Sequence, residues 1–92
     1  MISFEWDEQK AKANLAKHGV SFHEAKGAFQ DPFALELLDV RFDYGEERYI
    51  LIAMVGGRCL TIVHAERNDV CRLISARIST RAEQDAYFEA QE

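Results

Sequence analysis

Polar and apolar positions in the first part of the chain follow the spacing of a helix preceded by a short strand. The run Ile2–Trp6 is apolar enough for an edge strand. Asp7 stands at an N-cap position ahead of the helix-forming run EQKAKANLAK, because its side chain can accept N–H groups of the first turn. Gly19 is placed to end this helix at about His18, since glycine readily adopts the left-handed conformation found after helices.

A second helix is predicted directly after the first. Ser21 and Glu24 have the spacing of a capping box, in which each side chain accepts the other residue's backbone N–H. Three apolar residues then recur at helical spacing and should face the core: Phe22, Ala25 and Phe29. Asp31-Pro32 should end the helix, because a residue before proline avoids the helical conformation.

From residue 35 onward the apolar pattern predicts strands. Four segments have this character: Leu35–Val40, Arg48–Val55, Arg58–Glu66 and Val70–Ile78. The second of them is apolar on both faces, which is typical of a central strand. Gly56-Gly57 and Asn68-Asp69 have the composition of tight hairpin turns, whereas the polar stretch 39–47 indicates a longer loop.

The last predicted element is a helix near the end of the chain. Thr80 and Glu83 have capping-box spacing, so we expect a helix that begins there and extends to about Ala90. The predicted order is β-α-α-β-β-β-β-α within a single domain, residues 1–92. Helices followed by a run of strands indicate an α+β fold, with two N-terminal helices, a mostly antiparallel twisted sheet and a C-terminal helix.

Charge is unevenly distributed along the chain, whose 92 residues carry a net charge of −5. Every Lys precedes residue 41 and every Arg follows residue 40. Residues 41–81 hold seven Arg against five acids, whereas residues 82–92 hold four acids and no base. The negative net charge opposes non-specific attraction to nucleic acid. A guanidinium group, however, can donate two hydrogen bonds to the oxygens of one phosphate. The Arg-rich segment is therefore either a solvated sheet face or a local phosphate-binding surface.

Composition indicates a cytoplasmic protein without metal or membrane. No apolar run approaches the roughly 18–20 residues of a membrane span. The first residues have neither the basic nor the apolar region of a secretory signal. We therefore expect Cys59 and Cys71 to be reduced thiols. His64 lies near them in sequence, but no spacing resembles a metal-ligand motif, so we expect no metal and no cofactor.

Two basic residues, Lys17 and His18, close the first predicted helix. The ordinary interpretation is that a cation at a helix C-terminus interacts favourably with the helix dipole. The functional alternative is contact with RNA, where His18 could exchange a proton near neutral pH. The sequence leaves both interpretations open.

The last predicted hairpin carries a carboxylate with several polar partners: Glu66, Arg67, Arg72, Ser75 and Arg77. An Arg–carboxylate pair across a hairpin is often only a surface salt bridge worth under about 1 kcal/mol. The functional alternative is a phosphate clamp. RNA cleavage needs a base for the 2′-OH, charge stabilisation at phosphorus and an acid for the leaving oxygen. Under this hypothesis Glu66 or a His is the base, and Arg67 and Arg77 matter more to activity than to stability.

Strand geometry limits which of these side chains can act together, because neighbouring residues of a strand point to opposite faces. With a two-residue turn at positions 68–69, Arg67 shares a face with Arg72. The other face then carries His64, Glu66, Ser75 and Arg77. A longer turn would exchange these partners.

Several motifs in combination resemble the BrnT family of toxins. The longest is FEWDEQKAKANLAKHGVSFHEA at residues 4–25. The shorter ones are Asp31-Pro32, Gly45-Glu46-Glu47-Arg48, Glu66-Arg67 and RLISARIST at residues 72–80. The resemblance covers nearly the whole chain. The W-D…K…N…K-H-G-V-S-F segment and the I-S-A-R segment are specific when they occur together.

The resemblance implies a fold similar to the RelE-like ribonucleases and a metal-independent endoribonuclease that inhibits translation. It also implies neutralisation by a BrnA-like antitoxin, a ribbon-helix-helix protein, within a hetero-oligomer that represses its own operon. This chain alone should then not bind DNA. By position, the resemblance marks Lys17, His18, Glu66, Arg67, Arg72 and Arg77. The catalytic candidates are thus Glu66, Arg67, Arg77 and His18, and the RNA-binding candidates are Lys17, Arg72 and Ser75.

Two other functions are compatible with the sequence. The chain could be a catalytically decayed binding module that folds an antitoxin and tunes operon repression, or a structural domain without a nucleic-acid role. The Arg distribution and the motifs favour the toxin or the decayed module, whereas the acidic total charge favours the decayed module or the structural domain. Growth arrest on expression without a partner would distinguish an active toxin from both.

Overall fold

The computed structural model describes residues 2–92 and has the predicted order of elements. The strands are β1 (Ser3–Glu5), β2 (Leu35–Asp39), β3 (Arg48–Val55), β4 (Arg58–Arg67) and β5 (Val70–Ile78). The helices are α1 (Glu8–His18), α2 (Phe22–Ala25), a 3₁₀ helix that continues it (Lys26–Gln30), and α3 (Arg81–Glu89). None of the helices within residues 2–92 is long and apolar enough to cross a membrane.

The ends of α1 follow from its flanking residues, as predicted. The Asp7 side chain accepts the backbone N–H groups of Gln9 and Lys10 at 2.8 and 3.1 Å, which satisfies donors that the first turn leaves unpaired. Gly19 has a φ of 69° and donates its N–H to the carbonyl of Leu15 at 2.8 Å. A residue with a Cβ would be strained in this left-handed conformation, so glycine ends the helix there.

The two predicted capping boxes differ in outcome. Thr80 and Glu83 form a complete box, in which each side chain accepts the other residue's backbone N–H. Ser21 accepts the N–H of Glu24 at 3.0 Å, but the Glu24 carboxylate pairs with Arg58 of β4. The second helix is short, and its continuation is a 3₁₀ helix that ends directly before Asp31-Pro32.

The five strands form one sheet in the order β1-β5-β4-β3-β2. The pairing of β3 with β4 and of β4 with β5 is antiparallel, as the two tight turns predict. β1, in contrast, lies parallel to β5 at the sheet edge, so the sheet is mixed. The strand at Ile2–Trp6 was expected, but its partner lies too far along the chain for turn composition to indicate its direction.

Both hairpin turns have left-handed backbone conformations at their two central residues. The φ angles are 56° and 84° at Gly56 and Gly57, and 54° and 63° at Asn68 and Asp69. Two consecutive positive φ angles define a type I′ turn, whose backbone twist matches that of the two strands it connects. Gly and Asn adopt positive φ angles more readily than other residues. The two-residue turn at 68–69 is therefore confirmed.

One irregularity on β5 alters the register of the last hairpin. His64 lies opposite Leu73, whereas Val63 lies opposite Ser75, so Ile74 is an extra residue on β5. Such a bulge shifts the alternation of side chains by one position. Every β5 residue beyond Ile74 therefore points to the opposite side from the one that an uninterrupted strand would give it.

The bulge decides which candidate residues share a face. Arg67 and Arg72 lie on the same side of the sheet, as predicted from the two-residue turn. Ser75 and Arg77 also lie on that side, so the prediction that they share a face with Glu66 is wrong. The sequence pattern gave no sign of the extra residue.

The two sides of the sheet are covered unequally. On one side, here called the helical face, α1 and α2 bury the main core against the sheet. Its largest members are Val20, Phe22, Leu51, Leu60, Ile62 and Leu73. On the other side, here called the open face, α3 covers only one end, where Tyr87 packs with Ile52 and Cys59. The rest of the open face is left accessible to a ligand or a partner.

Asn14 fixes α1 to the sheet. Its amide nitrogen donates to the carbonyls of Val20 and Ala76 at 3.0 and 2.8 Å, and its oxygen accepts the N–H of Ala76 at 3.1 Å. Asn14 is 8% exposed, so these bonds satisfy backbone groups that water does not reach. The side chain thereby sets where α1 crosses β5.

Candidate nucleic-acid interface on the open face

The open face gathers most of the arginines of the chain. Five of the seven lie there: Arg41, Arg48, Arg67, Arg72 and Arg77. The strand register places four of them, and Arg41 folds back from the end of β2 onto Asp39. Half-buried Ile50 and Val63 lie opposite each other in the middle of this surface. The open face therefore offers guanidinium groups around a small apolar centre.

Glu46 joins two of these arginines. Its Oε2 accepts Arg48 Nε at 3.1 Å and also accepts Arg72 Nη2. The Arg48 guanidinium lies over the Tyr44 ring, 4.0 Å from its centroid, which restrains its orientation. Hydrogen bonds from Arg48 and then Arg72 lower the pKa of Glu46, so the carboxylate is ionised and bridges the two guanidinium groups.

A small pocket lies beside this bridge, at the edge of the open face where α1 begins. Its lining includes Lys10, Arg48 and Arg72, together with Asp7 and the bulged Ile74. The carboxylate of Asp7 is already used to cap α1. Three cationic residues thus line one pocket, a composition suited to an anion with several oxygens.

Two further arginines of the open face, Arg77 and Arg41, have their charges neutralised by carboxylates of the same chain. Arg77 donates two hydrogen bonds to Glu83, at 2.6 and 2.8 Å, and Thr61 donates a third at 3.1 Å. The bonds from Arg77 are the main cause that lowers the pKa of Glu83 to about 2. Arg41 similarly donates twice to buried Asp39, both at 2.9 Å, and holds the pKa of Asp39 well below its ordinary value.

The arginines predicted to act together are far apart. Arg67 lies at one end of β4, and Arg77 lies opposite Thr61, six positions along the same strand. At about 3.3 Å per residue, this places their backbones about 20 Å apart. A single phosphate cannot contact both side chains at once. Ser75 lies between them on the same face, opposite Val63.

The remaining candidates lie on the helical side. Glu66 is on the helical face, where its carboxylate lies near His64 and Glu36. Lys17 and His18 end α1, which packs on that same face, so the sheet separates them from Arg72. Of the predicted residues, the structure therefore places Arg67, Arg72, Ser75 and Arg77 on one face of the sheet, and it separates them from Glu66, Lys17 and His18.

Sequence reasoning missed Lys10, Glu46 and Arg48 as site residues. Glu46 and Arg48 belong to the GEER motif, which was recognised only as a point of family resemblance. Lys10 reads as an ordinary exposed helix residue. Only the tertiary structure carries it beside Arg72, so no local signal could have identified it.

The α+β fold, its accessible Arg-rich sheet face and the cationic pocket are those of a small protein suited to bind nucleic-acid phosphates. A family described as "Ribonuclease toxin, BrnT, of type II toxin-antitoxin system" matches residues 6–83, most of the chain. The chain therefore belongs to the BrnT family of ribonuclease toxins, and the resemblance noted in the sequence is confirmed. No curated protein matches it.

Proposed function

We propose that this chain is an endoribonuclease that binds the scissile phosphate of RNA in the pocket of Lys10, Arg48 and Arg72. The observation that carries the proposal is the Glu46 carboxylate held between two guanidinium groups. Guanidinium groups donate hydrogen bonds to carboxylate and phosphate oxygens in the same geometry. A phosphate can therefore bind where the Glu46 carboxylate now lies.

The arrangement supplies charge stabilisation for RNA cleavage by internal attack. The 2′-oxygen forms a bond to phosphorus, the bond from phosphorus to the 5′-oxygen breaks, and negative charge grows on the phosphate oxygens. Arg48 and Arg72 are oriented in advance towards that charge, so they need little reorganisation as it develops. No metal ion is required by this route.

Glu46 is the best-placed group to accept the proton of the 2′-OH. When a phosphate takes its place between the arginines, the carboxylate is released but stays at the mouth of the pocket. Losing the hydrogen bonds from Arg48 raises its proton affinity, which makes it a stronger base. Glu66, the base suggested by sequence, lies on the other face and is not part of this scheme.

Arg67 and Ser75 extend the binding surface on either side of the pocket. Arg67 lies two positions beyond Ala65, the residue opposite Arg72, and so about 7 Å along the strand. That spacing suits an adjacent phosphate of an extended RNA strand. The roles of Arg67, Arg72 and Ser75 in RNA binding thus form part of the proposal, whereas Lys17 and His18 have no role in it.

The partner follows from the type II family to which the chain belongs. We propose a BrnA-like antitoxin that covers the open face, so that RNA cannot reach the pocket. Cleavage of messenger RNA in the cytoplasm would inhibit translation when the antitoxin is lost. DNA binding by the complex would come from the antitoxin alone.

A decayed binding module remains the second candidate, and one observation favours it. Arg41, Arg48, Arg72 and Arg77 all pair with carboxylates of the same chain, so each must exchange a partner before it can hold RNA. In that case the open face would bind an antitoxin but would not cleave RNA.

The test is cleavage of end-labelled RNA by the purified chain in the presence of EDTA. We expect products with a 2′,3′-cyclic phosphate and a 5′-hydroxyl, at a rate that EDTA does not change. Cleavage that stops in EDTA and returns with Mg²⁺ would rule out the proposed route. Binding of a co-expressed antitoxin without any cleavage would favour the decayed module.

A further inference from the structure

A second polar cluster lies on the helical face, away from the arginines. It consists of Glu36 on β2 and of His64 and Glu66 on β4. A ring nitrogen of His64 and one carboxylate oxygen from each Glu all lie within 4.8 Å of one another. His64 and Glu66 are two positions apart and so point the same way, while Glu36 reaches them across β3.

His64 is held between aromatic rings in the core of the sheet. Its side chain is fully buried, stacked on Tyr49 at 5.5 Å between ring centroids, and edge-on to Phe29 at 5.0 Å. Nε2 lies 3.1 Å from Glu36 Oε1, whereas Nδ1 has no hydrogen-bond partner among residues 2–92. The aromatic rings fix the imidazole, and its polar edge is aimed at the carboxylates.

The cluster has negative charge without a balancing cation. Glu24, Asp39, Glu46, Glu83 and Asp85 each pair with an arginine. Within residues 2–92, neither Glu36 nor Glu66 pairs with Lys or Arg. Two carboxylates and a buried imidazole thus converge where a cation would relieve the repulsion between the carboxylates.

We propose that Glu36, His64 and Glu66 bind a divalent transition-metal ion, Zn²⁺ in the first instance. One imidazole nitrogen with two carboxylate oxygens is a ligand set that zinc accepts, and Mg²⁺ prefers oxygen ligands and retained water. Zinc bonds of about 2.1 Å require ligand atoms about 3.4 Å apart in a tetrahedral shell. Because both glutamates are exposed, their side chains can move inward by that amount around the fixed ring.

The ion would join β2, the edge strand, to β4 across β3. Three protein ligands leave the fourth position for water. The site is separated from the pocket of Arg48 and Arg72 by the sheet, so its occupancy should affect stability and leave RNA cleavage unchanged. The proposal is therefore independent of the ribonuclease mechanism.

The experiment uses the full chain freed of metal, titrated with ZnCl₂ and followed by calorimetry and thermal unfolding. We expect saturable binding of one ion and a rise in Tm of about 4 °C or more. Addition of MgCl₂ at the same concentration should give no comparable rise. Long-range ¹H–¹⁵N spectra should show the ring nitrogens of His64 shifting on zinc addition, while those of His18 and His23 do not shift.

The variants are chosen to fold with little change. Glu36→Gln and Glu66→Gln keep the shape of each side chain and should each weaken zinc binding by at least about tenfold. Glu89→Gln makes the same chemical change on exposed α3 and should bind zinc like the unaltered chain. Cys71→Ser tests the neighbouring thiol and should also leave binding intact.

Three outcomes would overturn the proposal: no saturable zinc binding, unaltered binding by both Glu→Gln variants, or loss of binding in Cys71→Ser. RNA cleavage in EDTA is measured separately, so either proposal can fail without the other.

Discussion

At the scale of single residues, the proposed pocket predicts that Arg72 contributes more to RNA cleavage than to stability. Its ion pair with Glu46 is partly exposed on both sides, and such pairs contribute little to stability. We expect Arg72→Ala to reduce RNA cleavage by about 100-fold, the usual cost of removing one preorganised charge-stabilising donor. Single-turnover cleavage rates and thermal unfolding measure the two effects.

Arg81→Ala is the matched control for Arg72→Ala. Arg81 is 89% exposed, and among residues 2–92 its salt-bridge partner is Asp85 on the same helix. The Arg81→Ala substitution should leave both the cleavage rate and the Tm nearly unchanged. If Arg72→Ala cleaves RNA as fast as Arg81→Ala, the pocket is not the site of cleavage.

Arg77 differs from Arg72, because its two hydrogen bonds tie β5 to the start of α3. The sequence alone led us to expect little effect of Arg77→Ala on stability, but Glu83 gives Arg77 a structural partner. We expect Arg77→Ala to lower the free energy of unfolding at pH 7 by about 1–2 kcal/mol.

The same pair predicts a pH dependence. The pKa of Glu83 falls from its usual 4.5 to about 2 on folding, so the ionised form favours the folded state. This contribution is complete above about pH 4.5 and is lost as the pH falls towards about 2. Urea unfolding of the unaltered chain and of Arg77→Ala should therefore differ at pH 7 and nearly coincide near pH 2. An equal difference at both pH values would argue against the pair as its source.

At the scale of elements, the bulge at Ile74 and the anchoring of α1 position the candidate site. The bulge turns Ser75 and Arg77 towards the open face, and α1 carries Lys10 to the edge of that face. The position of α1 in turn depends on the buried hydrogen bonds of Asn14 to Val20 and Ala76.

Asn14→Ala tests this dependence. The substitution leaves one N–H and two carbonyl groups buried without partners, so we expect a loss of about 2–4 kcal/mol in the free energy of unfolding. For a domain of this size, the Tm should fall by roughly 10 °C or more. Lys12→Ala, an exposed change in the same helix, is the control and should have little effect. A small effect of Asn14→Ala would mean that apolar packing alone positions α1.

At the scale of the whole molecule, the negative net charge means that one bound protein could block contact with RNA. With a net charge of −5, the chain gains little long-range attraction to RNA, so contact depends on the local Arg cluster. A cluster confined to one face can be covered by one protein. The guanidinium groups that would hold phosphate are equally suited to carboxylates of an antitoxin.

Co-expression with the neighbouring gene product tests this control. We expect a stable complex in which RNA cleavage is suppressed, and recovery of cleavage when the antitoxin is removed by denaturation and refolding of the chain. The chain alone should not shift operator DNA in a gel, whereas the complex should. Formation of the complex with undiminished cleavage would show that the antitoxin does not cover the pocket.

The sequence by itself determined the limits of nearly every element and the family. Asp7, Gly19, Thr80 and the hairpin turns act through bonds and backbone angles within a few residues of themselves, so their effects can be read locally. The segments that resemble the family likewise consist of residues that lie together in the chain.

Only the tertiary structure determined which side chains from distant segments lie in contact. The parallel pairing of β1, the extra residue at Ile74 and the approach of Lys10 to Arg72 depend on contacts between segments distant in sequence. A one-residue shift in register reverses the direction of every later side chain, and the packing of the whole sheet selects the register. Local patterns therefore identified the arginines and the fold class, but only the folded sheet could separate Arg67 from Arg77 and join Glu36 to His64.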